Sequence, residues 1–559
     1  MAKRNLEEIP DSQPPAKRSC SLSLDQISKL SDELLIHILS FVPVSTLIVC
    51  QRISHKFRSI SGDSQLWKAA YYNRFVRPRA ARLPTLREAI APSDQLYFSS
   101  KLSKWLDEEN LVSRGKETNW KRQYKLRHNW AKGSCDVREI EVTERPPILP
   151  LLVRLHEGII YTVDPIAGLR VWSLKKDRKL LASTVLSPST SARSLAPTSF
   201  AINNQSSDIH HEIIIGFEDG SFTIFTFFIQ ENRFTETFTH PASSNGMITA
   251  LAYCSPYILT MTENQLLSLY RFSSGHESDG TPSILDPPQL LYSLKSHTSC
   301  PPLSLSIRPS SQSIIASIAY TIPTYISGWS VGIQEMCLTL SGDLIESRIA
   351  SSASQDFQPL IRPSPFSAPS TRTPSPSARV SPNVYSDHSQ LFTKPTSLSY
   401  THPYLLVSHP DNTLTLYLVT SDASTLSISS GSRLWGHTSS VSGAYVGGKG
   451  KAVSVSTRGD ELRVWELEGG LSSPSNRRRL QSGHLSVRIK PEQRSSRHTE
   501  TNLISESVSQ RGSGLGLALD EKYDDLSVMR GWVGFNEENV IVLREKSQGS
   551  QALVVYDFS

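Results

Sequence analysis

The residues of this chain with the most evident chemical potential do not assemble into a catalytic set. Arg511-Gly512-Ser513-Gly514-Leu515-Gly516 has the glycine density of a phosphate-binding loop. It follows no clear strand, lacks the Lys-Ser/Thr pair of a P-loop, and has Leu517 where a dinucleotide fold needs a small residue. It reads as loop. Neither a Gly-x-Ser-x-Gly elbow nor a His-Glu-x-x-His pair occurs. His210 and His211 are adjacent, and in an extended segment they point to opposite faces, which suits a shared metal poorly. Cys20, Cys50, Cys135, Cys254, Cys300 and Cys337 are scattered with no Cys-x-x-Cys pair, so neither a zinc set nor a disulfide framework is expected. The expectation is a chain without a catalytic centre, metal or cofactor, its thiols reduced in cytoplasm or nucleus.

The charged residues exclude another class. A net charge of +6 over 559 residues is too dilute for a nucleic-acid-binding face. Lys121, Arg122, Lys125, Arg127 and Lys132 interleave with Trp120, Tyr124 and Trp130, a pattern compatible with base stacking. An amphipathic helix with aromatics inward and cations in solvent accounts for it better. Lys3-Arg4 and Lys17-Arg18 are spaced like a bipartite nuclear signal, although such pairs also arise by chance. The first twenty residues have no apolar signal-peptide core, and no run approaches a membrane span.

What remains is apolar surface in need of cover. Leu30-Ser31-Asp32-Glu33-Leu34-Leu35 reads as a helix start, with Ser31 as cap and two carboxylates in the first turn. Leu30 and Leu35 have the spacing of a hydrophobic staple, and Pro43 ends the helix. Within it, Leu34, Ile38 and Phe41 form one apolar row and Leu35, Leu39 and Val42 a second. A helix lying on its own domain needs one such row. A second short helix carries Leu47, Ile48, Cys50 and Ile53, followed by Phe57, Ile60, Leu66 and Trp67. A unit of roughly 45 residues without disulfide or metal is marginal alone. The pattern by itself admits two readings, the helical edge of a larger domain or a separate docking unit.

The order of these residues resembles an F-box. The matching positions are Leu30, Glu33, Leu34, Leu35, Ile38, Leu39, Leu47, Ile53, Phe57, Leu66 and Trp67, with Ser31 where the family usually has Pro and Phe57 where it usually has Trp. The resemblance implies docking onto the adaptor subunit of a cullin–RING ubiquitin ligase. The implied adaptor-binding residues are Leu30, Ser31, Leu34, Ile38, Leu39, Leu47, Cys50, Ile53, Phe57 and Trp67.

After Gly133 the periodicity changes from helical to short β runs of one shape, a strand, a tight turn, then a strand ending in an aromatic. The aromatics are Trp172, Phe225, Tyr270, Tyr417, Trp465 and Tyr556, each expected to end an inner strand and to pack between neighbouring sheets. Asp219-Gly220, Asn264 and Asp411-Asn412 suit turns requiring φ > 0. This looks like a WD-repeat propeller with decayed repeats, clearest at Gly436-His437 and Trp465-Glu466, where Gly459, with Asp460 beside it, replaces the usual turn Asp. Six such runs plus one supplied by the stretch from Ser330 to Arg348 make seven blades. The strand from Val137 to Val142 is placed to close the ring against Leu553 to Phe558.

The expected organisation is multidomain: a disordered tail over 1–24, a small all-α F-box over 25–75, a helical linker over 76–135, and an all-β propeller over 136–559. Two Ser/Pro-rich or polar insertions, 351–395 and 469–525, are expected to be disordered. Ser364, Thr373, Ser375 and Ser381, each followed by Pro, admit proline-directed phosphorylation or plain linker composition. The resemblance to the fungal-type F-box/WD family implies a non-catalytic substrate receptor of an SCF-type ligase, its partners being the adaptor, the cullin through it, and a protein substrate. The alternative is a propeller scaffold that recruits no cullin. Receptors of phosphorylated motifs use arginine clusters, and Arg170, Arg271, Arg458 and Arg463 lie on or near blade strands.

Overall fold

The computed structural model describes residues 27–77, 118–143, 151–174, 179–186, 195–203, 205, 209–272, 287–295, 300–310, 313–324, 328–352, 394–422, 425–448, 450–457, 461–467, 478, 486–491, 526–527, 532–546 and 550–559. The chain divides into two compact units, 1–124 and 125–559. The tail over 1–24, both basic pairs, the Ser/Thr-Pro sites, the glycine-rich run from Arg511, and 78–117 of the expected linker lie outside the described residues.

The first unit is built from short helices: α1 (Asp32–Ser40), α2 (Val44–Cys50), α3 (His55–Ile60) and α4 (Ser64–Tyr71). Pro43 separates α1 from α2 as its fixed φ requires, and Asp63 caps α4 by accepting from the Gln65 N–H at 2.7 Å. Leu35, Leu39, Leu47, Ile60 and Leu66 form one core cluster. Trp67, Tyr71 and Val76 form another with Trp120 and Tyr124, which open α5 (Trp120–Lys132). The aromatics of α5 are therefore core, not stacking platforms, and Lys121 and Arg122 are solvent-exposed.

The second unit is a seven-bladed propeller of antiparallel sheets. The blades span 152–184, 197–240, 248–295, 300–351, 397–435, 441–488 and, for the last, 526–557 together with 134–143 and 490–491. The leading strands of successive blades touch one another, and the seventh touches the first, so these strands form the inner ring. The expected closure is present: Ser134–Thr143 pairs antiparallel with Gln551–Asp557, with Val137 opposite Tyr556 and Ile140 opposite Leu553. A closed ring leaves no edge between its ends. Seven apolar clusters occupy the seven junctions between blades.

Three expectations need correction. The repeated aromatics pack at blade junctions as expected, but they stand on the third strand of each blade counted from the centre, not on the inner one. Period-two alternation is the same on both strands, so it cannot separate them. Among the turns, the positive φ falls at Gly220 (79°) and at Gln265 (60°), not at Asn264 or Asp411. Asp411 shapes its turn with its side chain, accepting from the Thr413 N–H at 2.8 Å. Finally, 469–525 is not uniformly loop: Ser486–Arg488 pairs with Arg463–Trp465 as the outer strand of the sixth blade, and Ile489 is buried. The remainder of both expected insertions lies almost entirely outside the described residues.

Residues 125–132, the second half of α5, belong to the propeller unit. Trp130 stacks on Phe558 with centroids 4.0 Å apart and planes 10° from parallel, and its Nε1 donates to the Glu537 carbonyl at 2.8 Å. Asn129 donates to the Phe558 carbonyl at 2.8 Å. The helix end thus seals the closing blade.

Candidate functional site

The two rows of α1 have different fates. Leu35 and Leu39 are buried, while Leu34 and Ile38 are 53% and 48% exposed and Phe41 is 76% exposed. Ser31 caps the helix in extended conformation without a side-chain hydrogen bond, and Asp32 and Glu33 occupy the first turn. Lys56 of α3 approaches Asp32 at 3.4 Å and donates to the Leu30 carbonyl at 3.0 Å, fastening the start of α1. In α2 only Leu47 is buried, and Ile48 and Val49 face solvent with Ile53 just beyond. Six large apolar side chains are therefore open between Leu34 and Ile53.

Of the residues expected to meet an adaptor, Ser31, Leu34, Ile38 and Ile53 are exposed, and Leu30, Cys50 and Phe57 are half-buried. Leu39, Leu47 and Trp67 are core residues instead. Leu39 follows Leu35 by one turn on the inward row, and Leu47 packs in the same cluster. Trp67 donates from Nε1 to the Ser61 carbonyl at 2.8 Å and meets Tyr124 edge-on at 5.6 Å. Phe41, Ile48 and Val49 were absent from the expected set. Helical spacing from Leu34 and Ile38 signals Phe41, whereas a seven-residue helix with one inward side chain carries too little periodicity to signal the other two.

A cleft in the same unit is lined by Ile48, Gln51, Arg52, Ile53, Ser54, His55 and Arg58. It joins exposed apolar side chains to two guanidinium groups. Burial of such apolar area is worth about 25 cal/mol per Å².

The propeller arginines do not converge on a receptor site. Arg170 is paired with Asp164 at 2.6 Å and donates to the Val142 carbonyl at 2.7 Å. Arg271 donates to the Leu340 carbonyl at 2.8 Å. Arg463 donates to Glu461 at 2.7 Å and to Ser486 at 2.8 Å. Arg458 lies outside the described residues. The three described ones hold strands and turns together.

Glu461 was missed entirely, and it takes the part expected of a turn Asp. It is fully buried in the sixth blade, accepts from the Thr438 N–H at 2.8 Å, and faces His437 Nδ1 at 3.5 Å. Ser454 Oγ links His437 Nε2 at 2.6 Å to Trp465 Nε1 at 2.8 Å. Burial alone would raise the Glu461 pKa, but His437, the Thr438 N–H and Arg463 together hold it well below the usual carboxylate range. The network joins the start of the blade to its third strand.

Among the described residues no helix is long and apolar enough to cross a membrane. Comparison with known proteins assigns both units. Residues 27–69 match the F-box domain, and residues 135–559 match the F-box protein pof12 beta-propeller. The F-box protein dre-1 of Caenorhabditis elegans is 31% identical over 83 residues, 15% of this chain, and the chain spans only 8% of that relative's length. Solved propellers cover about three quarters of the chain at low identity. The WD40 propeller domain of Doa1 covers 76% of this chain and 96% of its own, with 10% identity and a TM-score of 0.33. Saccharomyces cerevisiae Sqt1 covers 76% and 99%, with 9% identity and a TM-score of 0.35.

Proposed function

The chain belongs to the F-box protein pof12 beta-propeller family and carries an F-box ahead of that propeller, and we propose that it is the substrate-recognition subunit of an SCF-type cullin–RING ubiquitin ligase. The observation that carries this reading is the open apolar row of α1 continued by Ile48, Val49 and Ile53. Leu34, Ile38 and Ile53, with Phe41, Ile48 and Val49, dock on the adaptor, and Leu30, Ser31, Cys50 and Phe57 lie at the margin. Arg52 and Arg58 favour an acidic rim on that partner. The cullin is recruited through the adaptor.

The propeller holds a protein substrate, and the chain itself is not an enzyme. Its contribution is proximity: a tethered target has a raised effective concentration near the charged ubiquitin carrier, and other subunits carry out transfer. The work takes place in cytoplasm or nucleus, where the five described cysteines stay free thiols. Co-purification tests the assignment. Adaptor and cullin accompany the wild-type chain and are lost with Leu34→Lys plus Ile38→Lys. A wild-type chain that captures other proteins but neither of these is a scaffold instead.

A further inference from the structure

We propose that His156, Glu157 and His211 form a binding site for a divalent transition metal, Zn²⁺ by preference, that clips the first blade to the second. His156 ends the leading strand of the first blade, Leu152–His156, and Glu157 follows it in the turn at φ 47°. His211 is the second residue of the strand His210–Phe217 in the second blade. One ligand atom from each of the three lies within 4.8 Å of the others. His211 Nε2 is 3.3 Å from Glu157 Oε2, and the two imidazole rings meet edge to face with centroids 4.8 Å apart. Tetrahedral zinc places its donors about 3.4 Å apart. Side-chain rotation at the turn closes the remaining gap.

Two further observations point to a ligand. His156 Nε2 is buried and has no hydrogen-bond partner, whereas buried polar atoms are normally satisfied. His211 Nδ1 lies 2.5 Å from the hydroxyl of the fully buried Tyr161. That contact orients the ring with Nε2 toward Glu157, the outer-shell arrangement that fixes a metal-binding histidine. Glu157, 37% exposed, supplies charge and leaves a route for entry and for a water as fourth ligand. Two imidazoles and a carboxylate suit Zn²⁺. His210, although adjacent, turns to the other face and contacts Phe228 at 6.2 Å.

The test uses the full chain, stripped by a chelator and titrated with Zn²⁺ by calorimetry and with Co²⁺ by visible absorption. The expected result is one site with the absorption of four-coordinate Co²⁺ and a thermal midpoint that rises with Zn²⁺. His156→Ala and His211→Ala each weaken binding about 100-fold, and Tyr161→Phe weakens it about 10-fold. Glu157→Gln, at an exposed turn, keeps the metal-free midpoint and loses at least about 10-fold in affinity, which separates ligand loss from misfolding. His210→Ala changes nothing. Absence of Zn²⁺ and Co²⁺ binding in the wild type overturns the site, as does binding that survives both His156→Ala and Glu157→Gln.

Discussion

The two units treat their apolar side chains in opposite ways. In the helical unit six large apolar residues stand open within the twenty positions from Leu34 to Ile53. Among the described residues of the propeller eleven are spread from Ile166 to Tyr445, while seven clusters of buried side chains fill the blade junctions. A closed ring gives every blade two neighbours, so each sheet face finds cover within the chain. Among the described residues, the four short helices cover only the Leu35–Leu39 row of α1. Concentrated exposure of this kind marks an interaction surface.

The contrast can be broken by mutation, beginning with the largest effect. Leu34→Lys plus Ile38→Lys should cost about 3–5 kcal/mol of adaptor binding, more than 100-fold, because two aliphatic side chains lose their burial and two charges are desolvated. Its thermal unfolding should match wild type, since neither side chain is in the core. Trp130→Ala should instead destabilise the propeller by about 3–5 kcal/mol by removing the stack on Phe558, as seen in denaturant unfolding followed by tryptophan fluorescence. Leu39→Ala, one turn from Leu35, should cost the helical unit about 2–4 kcal/mol and lower adaptor binding only through the unfolded fraction, so excess adaptor should restore it.

The smallest effect sharpens the comparison on the propeller side. Glu461→Gln should destabilise by about 1–3 kcal/mol at pH 7. Because the folded-state pKa of Glu461 is depressed, its contribution is complete above the unfolded carboxylate pKa near 4.3 and is lost as pH falls through the lower folded value. The gap between variant and wild type should therefore close in acid, and a pH-independent gap would assign the loss to packing alone.

These comparisons also show where the sequence was legible. The two rows of α1 could be separated because nine residues span more than two turns, enough for a 3.6-residue period to group Leu34 with Ile38 and Leu35 with Leu39, but the period does not say which row faces inward. The blade count followed from a repeat that recurs around the ring. The resemblance places Leu39, Leu47 and Trp67 in the docking set although they are buried, because it locates a residue in a motif without saying which side it faces. Glu461 was hidden because its partners His437 and Ser454 meet it only after the blade has formed. His156 and His211 come together across a blade junction, a proximity that no local spacing records.

The most direct test of the docking face is amide hydrogen exchange of the full chain with and without the purified adaptor. The account predicts new protection in peptides covering α1, α2 and the start of α3, with the seven blades unchanged. Protection appearing in the blades while α1 and α2 exchange as before would contradict it.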